Sequence, residues 1–242
     1  MSQSRRNAFT LTETVTVIGI ITILTALLFP AIGRVRESAR RSGDLSTLRQ
    51  LSAACLSYSQ DHDGNLPAGR MKAARTGWDD YTWINYDDCW VPLVAQMPSL
   101  RNMLSCASVL NGYPDADDFG NPGTEYGYPS DTTLGWIYWG GRDDLYVNGQ
   151  LQYRSMKRLG QRLTPGSPTL WTCLCWDSAG RSGGSVCPHV GATFVAYPQN
   201  VPLKPPPDGL GVALDDGSAA FVAWNDMIII PQANGYKLYY QP

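Results

Sequence analysis

Several features common in catalytic and nucleic-acid-binding proteins are scarce in this sequence. It contains only two histidines, and no glycine-rich segment has the spacing of a phosphate- or nucleotide-binding loop. Positive charge is not in excess either, because residues 62–242 hold 12 basic and 17 acidic side chains, a net charge of −5. Nucleic-acid-binding surfaces are strongly basic. We therefore expect neither an enzyme nor a nucleic-acid-binding protein, and we assign no catalytic residues.

Long apolar runs are also scarce, and the one that is present lies near the N-terminus. Val15 to Ile32 is a stretch of 18 residues without a charge. As a helix it would be about 27 Å long at ~1.5 Å per residue, close to the ~30 Å hydrocarbon thickness of a bilayer. Arg5 and Arg6 precede it, and basic residues favour the cytoplasmic side. The sequence predicts a single-pass membrane protein with a cytoplasmic N-terminus and an exported C-terminal part.

Three interpretations of this segment are open, and two of them are ordinary ones. Ala31 and Gly33 form a small-x-small pattern, which suits a secretory signal cleaved after Gly33, although the run is longer than the ~7–15 residues usual for a signal core. The run also suits an uncleaved anchor. Neither interpretation accounts for Glu13, a carboxylate two residues before the run, since a charge at membrane depth costs about 2.5–3.5 kcal/mol.

The third interpretation accounts for this carboxylate. The stretch AFTLTE at 8–13 resembles the cleavage and methylation signal of type IV prepilins and type II secretion pseudopilins. In that signal a basic leader and a small residue precede Phe, Thr, Leu, a fourth residue and Glu. The resemblance implies cleavage between Ala8 and Phe9 by a prepilin peptidase, followed by N-methylation of Phe9. Glu13 and Pro30 then take the family's positions for its glutamate and its kinking proline, whereas Ala8 replaces the usual glycine.

The resemblance also implies partners and a location. Such subunits are held in the inner membrane among lipid, with the domain periplasmic or extracellular. An inner-membrane assembly platform adds them to a filament of other pilin-like subunits. Physically, the Glu13 carboxylate of one subunit can pair with the new Phe9 amine of a neighbour, so that the cost of both charges is offset on assembly. The other setting for Glu13 is among the lipid headgroups.

The helix is predicted to continue past the apolar run. Apolar positions recur at spacings of three and four, as on the buried face of an amphipathic helix; they are Leu45, Leu48, Leu51 or Ser52, Cys55 and Tyr58. Gly64 is a candidate C-cap. The predicted boundaries are a leader at 1–8, a transmembrane or filament-core helix at 9–33, its amphipathic continuation at 34–63, and a β-rich extracytoplasmic domain at 64–242.

Four arginines follow the apolar run on the exported side, against the positive-inside rule, so the leader must set the orientation. They are Arg34, Arg36, Arg40 and Arg41. Three settings are open for them: lipid headgroups, acidic side chains of adjacent subunits, or a solvated helix face.

The rest of the chain has the pattern of short strands. Apolar runs are broken by Gly, Pro, Asp and Asn, and we expect strands within 126–141, 169–177, 191–198 and 209–225. The last run predicts a hairpin with its turn at Asp216 and Gly217. The expected fold class is α+β, with a long N-terminal transmembrane and amphipathic helix packed on a small antiparallel β-sheet domain, as in pilin-like proteins.

Six cysteines are present, and an oxidising exported compartment favours disulfides. Six cysteines allow 15 pairings. The local candidates are Cys89 with Cys106, and Cys187 with Cys173 or Cys175. Cys55 lies on the apolar stripe and can serve as a small core residue.

Two less favoured kinds of site involve the same cysteines. Cys173, Cys175, Cys187 and His189 could supply four zinc ligands, but they lack the usual C-x2–4-C spacing. Cys187 and His189 could form a nucleophile and base, but no orienting acid is evident. We therefore expect no metal here.

We expect no cofactor, and bound calcium is the alternative. Asp115 and Asp117 begin like an EF-hand loop, but Phe119 stands where such a loop carries an oxygen ligand. Major pseudopilins carry a calcium in a C-terminal loop, and by that resemblance Asp215 and Asp216 are candidate ligands. A tight Asp-Gly turn explains Asp216 without a metal.

Aromatic residues are abundant, with 8 Trp and 13 Tyr. Aromatic residues in strands are more often core and packing residues than ligand-binding ones. A sugar- or partner-binding face is the alternative for one group: Trp78, Tyr81, Trp83, Trp136, Tyr138 and Trp139.

These observations predict a structural subunit of a type IV pilus-like or type II secretion pseudopilus-like filament. The alternative belongs to another class: a membrane-tethered extracytoplasmic binding module that uses the pilin-type signal only for delivery.

Overall fold

The computed structural model describes residues 11–69, 83–103, 131–133, 135–147, 149–177, 185–190, 193–197, 208–231 and 237–240. Several residues to which the sequence assigns a role lie outside these ranges: Arg5, Arg6, Ala8, Phe9, Trp78, Tyr81, Cys106, Asp115 and Asp117. For four others only the backbone is described: Pro30, Trp83, Cys187 and His189.

One helix, α1 (Leu11–Asp61), makes up the N-terminal part of the described chain. Its 51 residues are about 77 Å long at ~1.5 Å per residue, and it is helical through Pro30 and Gly43. Gly64 stands just beyond its end with φ +81°, and the Gly64 amide donates to the Ser59 carbonyl at 2.7 Å. A glycine in the left-handed region closes a helix this way. The predicted long helix and its glycine end are confirmed.

The rest of the described chain contains short strands and a few short helical segments. In chain order these are β1 (Trp83–Asn85), β2 (Asp131–Thr133), β3 (Trp136–Tyr138), β4 (Leu145–Val147), β5 (Gln150–Tyr153), β6 (Thr169–Cys173), β7 (Trp176–Asp177), β8 (Ser185–Val190), β9 (Thr193–Tyr197), β10 (Gly209–Leu214), β11 (Ala219–Ala223), β12 (Ile228–Pro231) and β13 (Lys237–Tyr240). The shorter helical segments are a π-helical turn at Tyr86–Trp90, α2 (Val91–Gln96), and 3-10 turns at Pro98–Asn102 and Trp224–Asp226.

The described strands form two main antiparallel sheets and two separate strand pairs. One sheet has the order β11-β10-β6-β3 and the other the order β12-β13-β7-β8-β9, while β1 pairs with β2 and β4 with β5. In the four-stranded sheet Val212 lies opposite Thr172 on one side and Ala220 on the other. The fold is α+β, with a long apolar N-terminal helix and small antiparallel sheets.

The predicted hairpin joins β10 to β11. Gly217 has φ +85°, and its amide donates to the Leu214 carbonyl at 3.1 Å. The Asp216 carboxylate accepts the Ser218 amide at 2.8 Å. An Asx side chain that bonds its own turn, followed by a glycine with positive φ, is the arrangement that an Asp-Gly pair favours.

The second half of α1, from Glu37 to its end at Asp61, packs on the four-stranded sheet. Leu48, Leu51 and Cys55 are fully buried, which confirms the predicted stripe. The aromatic side chains of Trp136, Tyr138 and Trp139 are also fully buried and belong to the core. These three therefore form no binding face.

Candidate functional site in the long helix

The first half of α1 is apolar and not covered by the domain. Between Leu11 and Ile32 twelve large apolar side chains are exposed, among them Leu27 at 71% and Phe29 at 76%. At ~1.5–3 kcal/mol per side chain, keeping this surface in water costs on the order of 20 kcal/mol. By length and composition the helix could cross a membrane, which would remove this cost.

Three threonine hydroxyls within this half are satisfied by the helix itself. The hydroxyls of Thr16, Thr22 and Thr25 each donate to the carbonyl four residues earlier, at 2.7–2.8 Å. A hydroxyl or backbone group without a partner would oppose transfer into hydrocarbon. These three threonines therefore do not prevent the segment from entering a bilayer.

Glu13 is the one charged residue of α1 before Arg34. It lies in the first turn of the helix and its side chain is exposed. The domain therefore does not cover this carboxylate, and the cost of its charge depends on the surroundings of the helix.

The junction between the two halves of α1 is held to the domain by Arg41. Its Nε atom donates to Glu37 Oε1 at 3.0 Å, and its Nη2 atom donates to the Asp208 carboxylate, just before β10. The Arg41 guanidinium also lies over the Phe221 ring, 4.3 Å from its centroid. One side chain therefore links a helical turn to the residue before β10 and to β11, through charge and cation–π contacts.

The four arginines after the apolar run fall into two groups. Arg41 and, at 4.0 Å, Arg40 pair with Glu37, which is the first buried side chain of α1 among those described. Arg34 and Arg36 are exposed. Within the described part of the chain neither of these two makes an ion pair. Arg40 and Arg41 thus have ion-pair partners in the described chain, whereas the side chains of Arg34 and Arg36 are exposed to the surroundings.

Further along α1, polar contacts anchor the helix within the core. The Trp171 indole Nε1 of β6 donates to Cys55 Sγ at 3.3 Å, and the Ser52 hydroxyl donates to the Leu214 carbonyl. Burial raises the pKa of Cys55 to about 12. The thiol is therefore protonated at physiological pH and acts as a core acceptor rather than a nucleophile.

The structure corrects part of the disulfide expectation. Cys175 is disulfide-bonded, whereas Cys89 and Cys173 carry thiols, so the predicted Cys89–Cys106 bond is absent. Both thiols are fully buried. Cys173 of β6 lies beside Gly211 on the side where Leu48 of α1 packs, and burial raises the pKa of Cys89 well above its usual value. A disulfide at Cys175 also removes a thiolate from the possible zinc set, so that four-ligand site does not form.

The acids of the hairpin have structural partners. Arg162 Nη1 donates to the buried Asp215 carboxylate at 2.6 Å, and Asp216 caps its own turn. A guanidinium on one carboxylate opposes cation binding there. No group of three or more metal-binding side chains occurs among the described residues, and the other calcium candidates, Asp115 and Asp117, lie outside them.

Sequence reasoning missed the attachment of α1 to the hairpin. Arg41 and Asp208 are 167 positions apart, and neither residue lies in a recognisable local motif. The sequence suggests only a metal-ligand role for Asp215, because its partner Arg162 lies 53 positions away. For Arg41, the sequence does predict one of its contacts. Glu37 precedes it by four positions, a spacing at which opposite charges pair on a helix.

Comparison with protein-family models, with curated proteins and with solved structures returned no match. Function must therefore be inferred from the residues and their geometry.

Proposed function

We propose that this chain is a structural subunit of a type IV pilus-like or type II secretion pseudopilus-like filament. The observation that carries the proposal is the division of α1 into two halves. The first half exposes apolar side chains all round the helix, whereas the second half buries one stripe against the sheet. A helix that is apolar all round suits a bilayer first and a core of packed helices afterwards, because both exclude water.

The N-terminal signal supports the same proposal. Cleavage between Ala8 and Phe9 would create an amine four residues before Glu13. In the membrane this amine and this carboxylate are both costly, and pairing them between neighbouring subunits offsets the two costs together. Assembly is then favoured. Because the amine of Phe9 pairs with Glu13 of a neighbour, the pair also sets the axial position of each subunit relative to that neighbour.

The junction at Arg41 supports a mechanical role. A machine that extracts α1 from the bilayer must also move the domain. The second half of α1 is part of the domain core through Leu48, Leu51 and Cys55, and Arg41 ties its start to the hairpin. The second half of α1 and the domain therefore share one core, so a force on the helix is transmitted to the domain, as a filament subunit requires.

The first experiment determines the mature N-terminus by intact mass and N-terminal sequencing of the membrane-fraction protein. We expect N-methylated Phe9 as the first residue. Ala8→Gly should retain this processing, and Ala8→Leu should block it, because the peptidase site needs a small residue. An N-terminus at Arg34 would instead indicate a secretory signal and would contradict the proposal.

The second experiment separates assembly from delivery. Shearing of cells should release the mature chain as polymers, visible by electron microscopy and by sedimentation. A chain that starts at methylated Phe9 but stays monomeric in the membrane fraction would favour the tethered binding module instead.

A further inference from the structure

We propose that Arg34 and Arg36 bind the phosphate groups of anionic lipids in the membrane leaflet that faces the domain. The proposal rests on the membrane location of α1 in the proposed function but not on polymerisation.

The first support is the length of helix between the apolar run and the domain. The uncharged run ends at Ile32, and the first buried side chain described in α1 is Glu37. The four residues between them, 33–36, span about 6 Å at ~1.5 Å per residue. The headgroup layer of one leaflet is about 5–8 Å thick, half the difference between the whole bilayer and its hydrocarbon core. With the run in hydrocarbon, both arginines lie at headgroup depth.

The second support is that the domain leaves these two arginines accessible. Arg34 and Arg36 are exposed, and the nearby carboxylate, Glu37, is engaged by Arg40 and Arg41. Between the two arginines Val35 is 67% exposed. A segment in which cationic and apolar side chains alternate, both accessible, suits the boundary between headgroups and hydrocarbon.

The third support is the chemistry of the side chain. A guanidinium donates two parallel N–H bonds to a phosphate and is always charged. Residues two apart on a helix point about 200° from each other at 3.6 residues per turn, so Arg34 and Arg36 contact different lipids. Together the two side chains hold the helix at a fixed depth in the bilayer until the subunit is extracted from the membrane.

The test uses the full mature chain in vesicles of phosphatidylcholine that contain a minor fraction of phosphatidylglycerol. Flotation first establishes insertion. Native mass spectrometry of protein released from the vesicles then gives the ratio of retained phosphatidylglycerol to phosphatidylcholine. The double variant R34Q/R36Q should lower this ratio on the order of five-fold or more, the effect of basic side chains near an anionic surface. The double variant R101Q/R154Q changes the net charge equally at two exposed domain positions and should keep the wild-type ratio.

Each other outcome counts against the proposal. A wild-type ratio in R34Q/R36Q, or an equal loss in R101Q/R154Q, would overturn the lipid site while leaving the proposed function intact. Unchanged lipid retention together with lost filaments in R34Q/R36Q would show that acidic side chains of a second copy are the partners. A chain that does not float with vesicles would overturn both the lipid site and the proposed function.

Discussion

Gly211 on β10 and Leu48 on α1 approach each other so closely that any side chain at position 211 would force Leu48 to move. A Cβ atom on Gly211 would lie 2.7 Å from Leu48 Cδ1 and 3.1 Å from Cys173 Sγ. Helix and sheet therefore meet at a glycine, and the absence of a side chain there lets the second half of α1 lie directly on the strand.

Gly211→Ala should destabilise the domain, because Leu48 and Cys173 are fully buried and have little room to move. We expect a loss of about 1–3 kcal/mol in the free energy of unfolding, typical of an overpacked core, measured by urea denaturation in detergent. Gly43→Ala is the matched control. Nothing lies within 4 Å of a Cβ there, so helix propensity should raise stability by roughly 0.5–1 kcal/mol. Equal effects at both positions would show that the contact with Leu48 is not limiting.

Glu13→Ala should leave cleavage and membrane insertion intact but abolish polymers, because the Phe9 amine of a neighbour loses its partner. Glu13→Gln should behave in the same way, since it keeps the shape and removes the charge. Thr14→Val, one residue away, is the control and should assemble normally. Sheared fractions assayed by sedimentation provide the measurement, and normal filaments from Glu13→Gln would refute the pairing.

Arg41 and Asp208 should show coupling in a double-mutant cycle. Their side chains are 27% and 51% exposed, so we expect a coupling energy of only about 0.5–1 kcal/mol, decreasing at high salt. Phe221→Leu should remove the cation–π contact at a similar cost. Arg49→Ala, on the same helix, is the control and should not couple to Asp208. Strictly additive effects of the Arg41 and Asp208 substitutions would contradict a role in attachment.

The Cys55 thiol should make stability depend on pH only in alkaline solution. Burial raises its pKa from an ordinary value near 9 to about 12, so below pH 9 the thiol is protonated in both folded and unfolded chains. Between pH 9 and 12 the unfolded thiol ionises first, and stability falls by up to about 1.4 kcal/mol per pH unit. Cys55→Ser retains an acceptor for Trp171 but should lose this part of the slope. An unchanged slope would show that Cys55 is not buried as a thiol.

Arg162→Ala should destabilise the hairpin because it leaves the buried Asp215 carboxylate without its guanidinium partner. We expect a loss of about 1–3 kcal/mol, measured by thermal unfolding. Arg162→Ala combined with Asp215→Asn should recover part of the loss, since no charge then remains buried. Arg154→Ala is the exposed control. Stabilisation of Arg162→Ala by calcium, absent in the double variant, would instead support a cation site at Asp215.

Local patterns allowed much of the fold to be predicted from the sequence. The uncharged run, the stripe through Leu48 and Cys55, and the Asp216–Gly217 turn each depend on residues close together in the chain. Their periodicity and turn chemistry therefore indicate a helix or a hairpin without knowledge of the rest. The candidate site at Glu13 was also found from sequence, because a carboxylate beside a run of hydrocarbon side chains is costly wherever the chain folds.

Pairings between distant residues could not be predicted in this way. Whether Cys89 and Cys173 are thiols or half-cystines depends on which strands and helices surround them. The roles of Asp215 and Asp208 depend on Arg162 and Arg41, each more than 50 positions away. Composition and spacing leave many such pairings equally possible.

The sequence alone thus determined that one long helix carries an apolar half, an amphipathic half and a carboxylate at its start, since these properties are additive along the chain. Tertiary structure decided that Glu37 is the first buried side chain among those described in α1, that Arg41 joins helix to hairpin, and that Arg34 and Arg36 stay exposed. The physical reason is that burial and ion pairing depend on which surfaces, distant in the chain, come into contact. Here these contacts form only when α1 packs onto the sheet at Gly211.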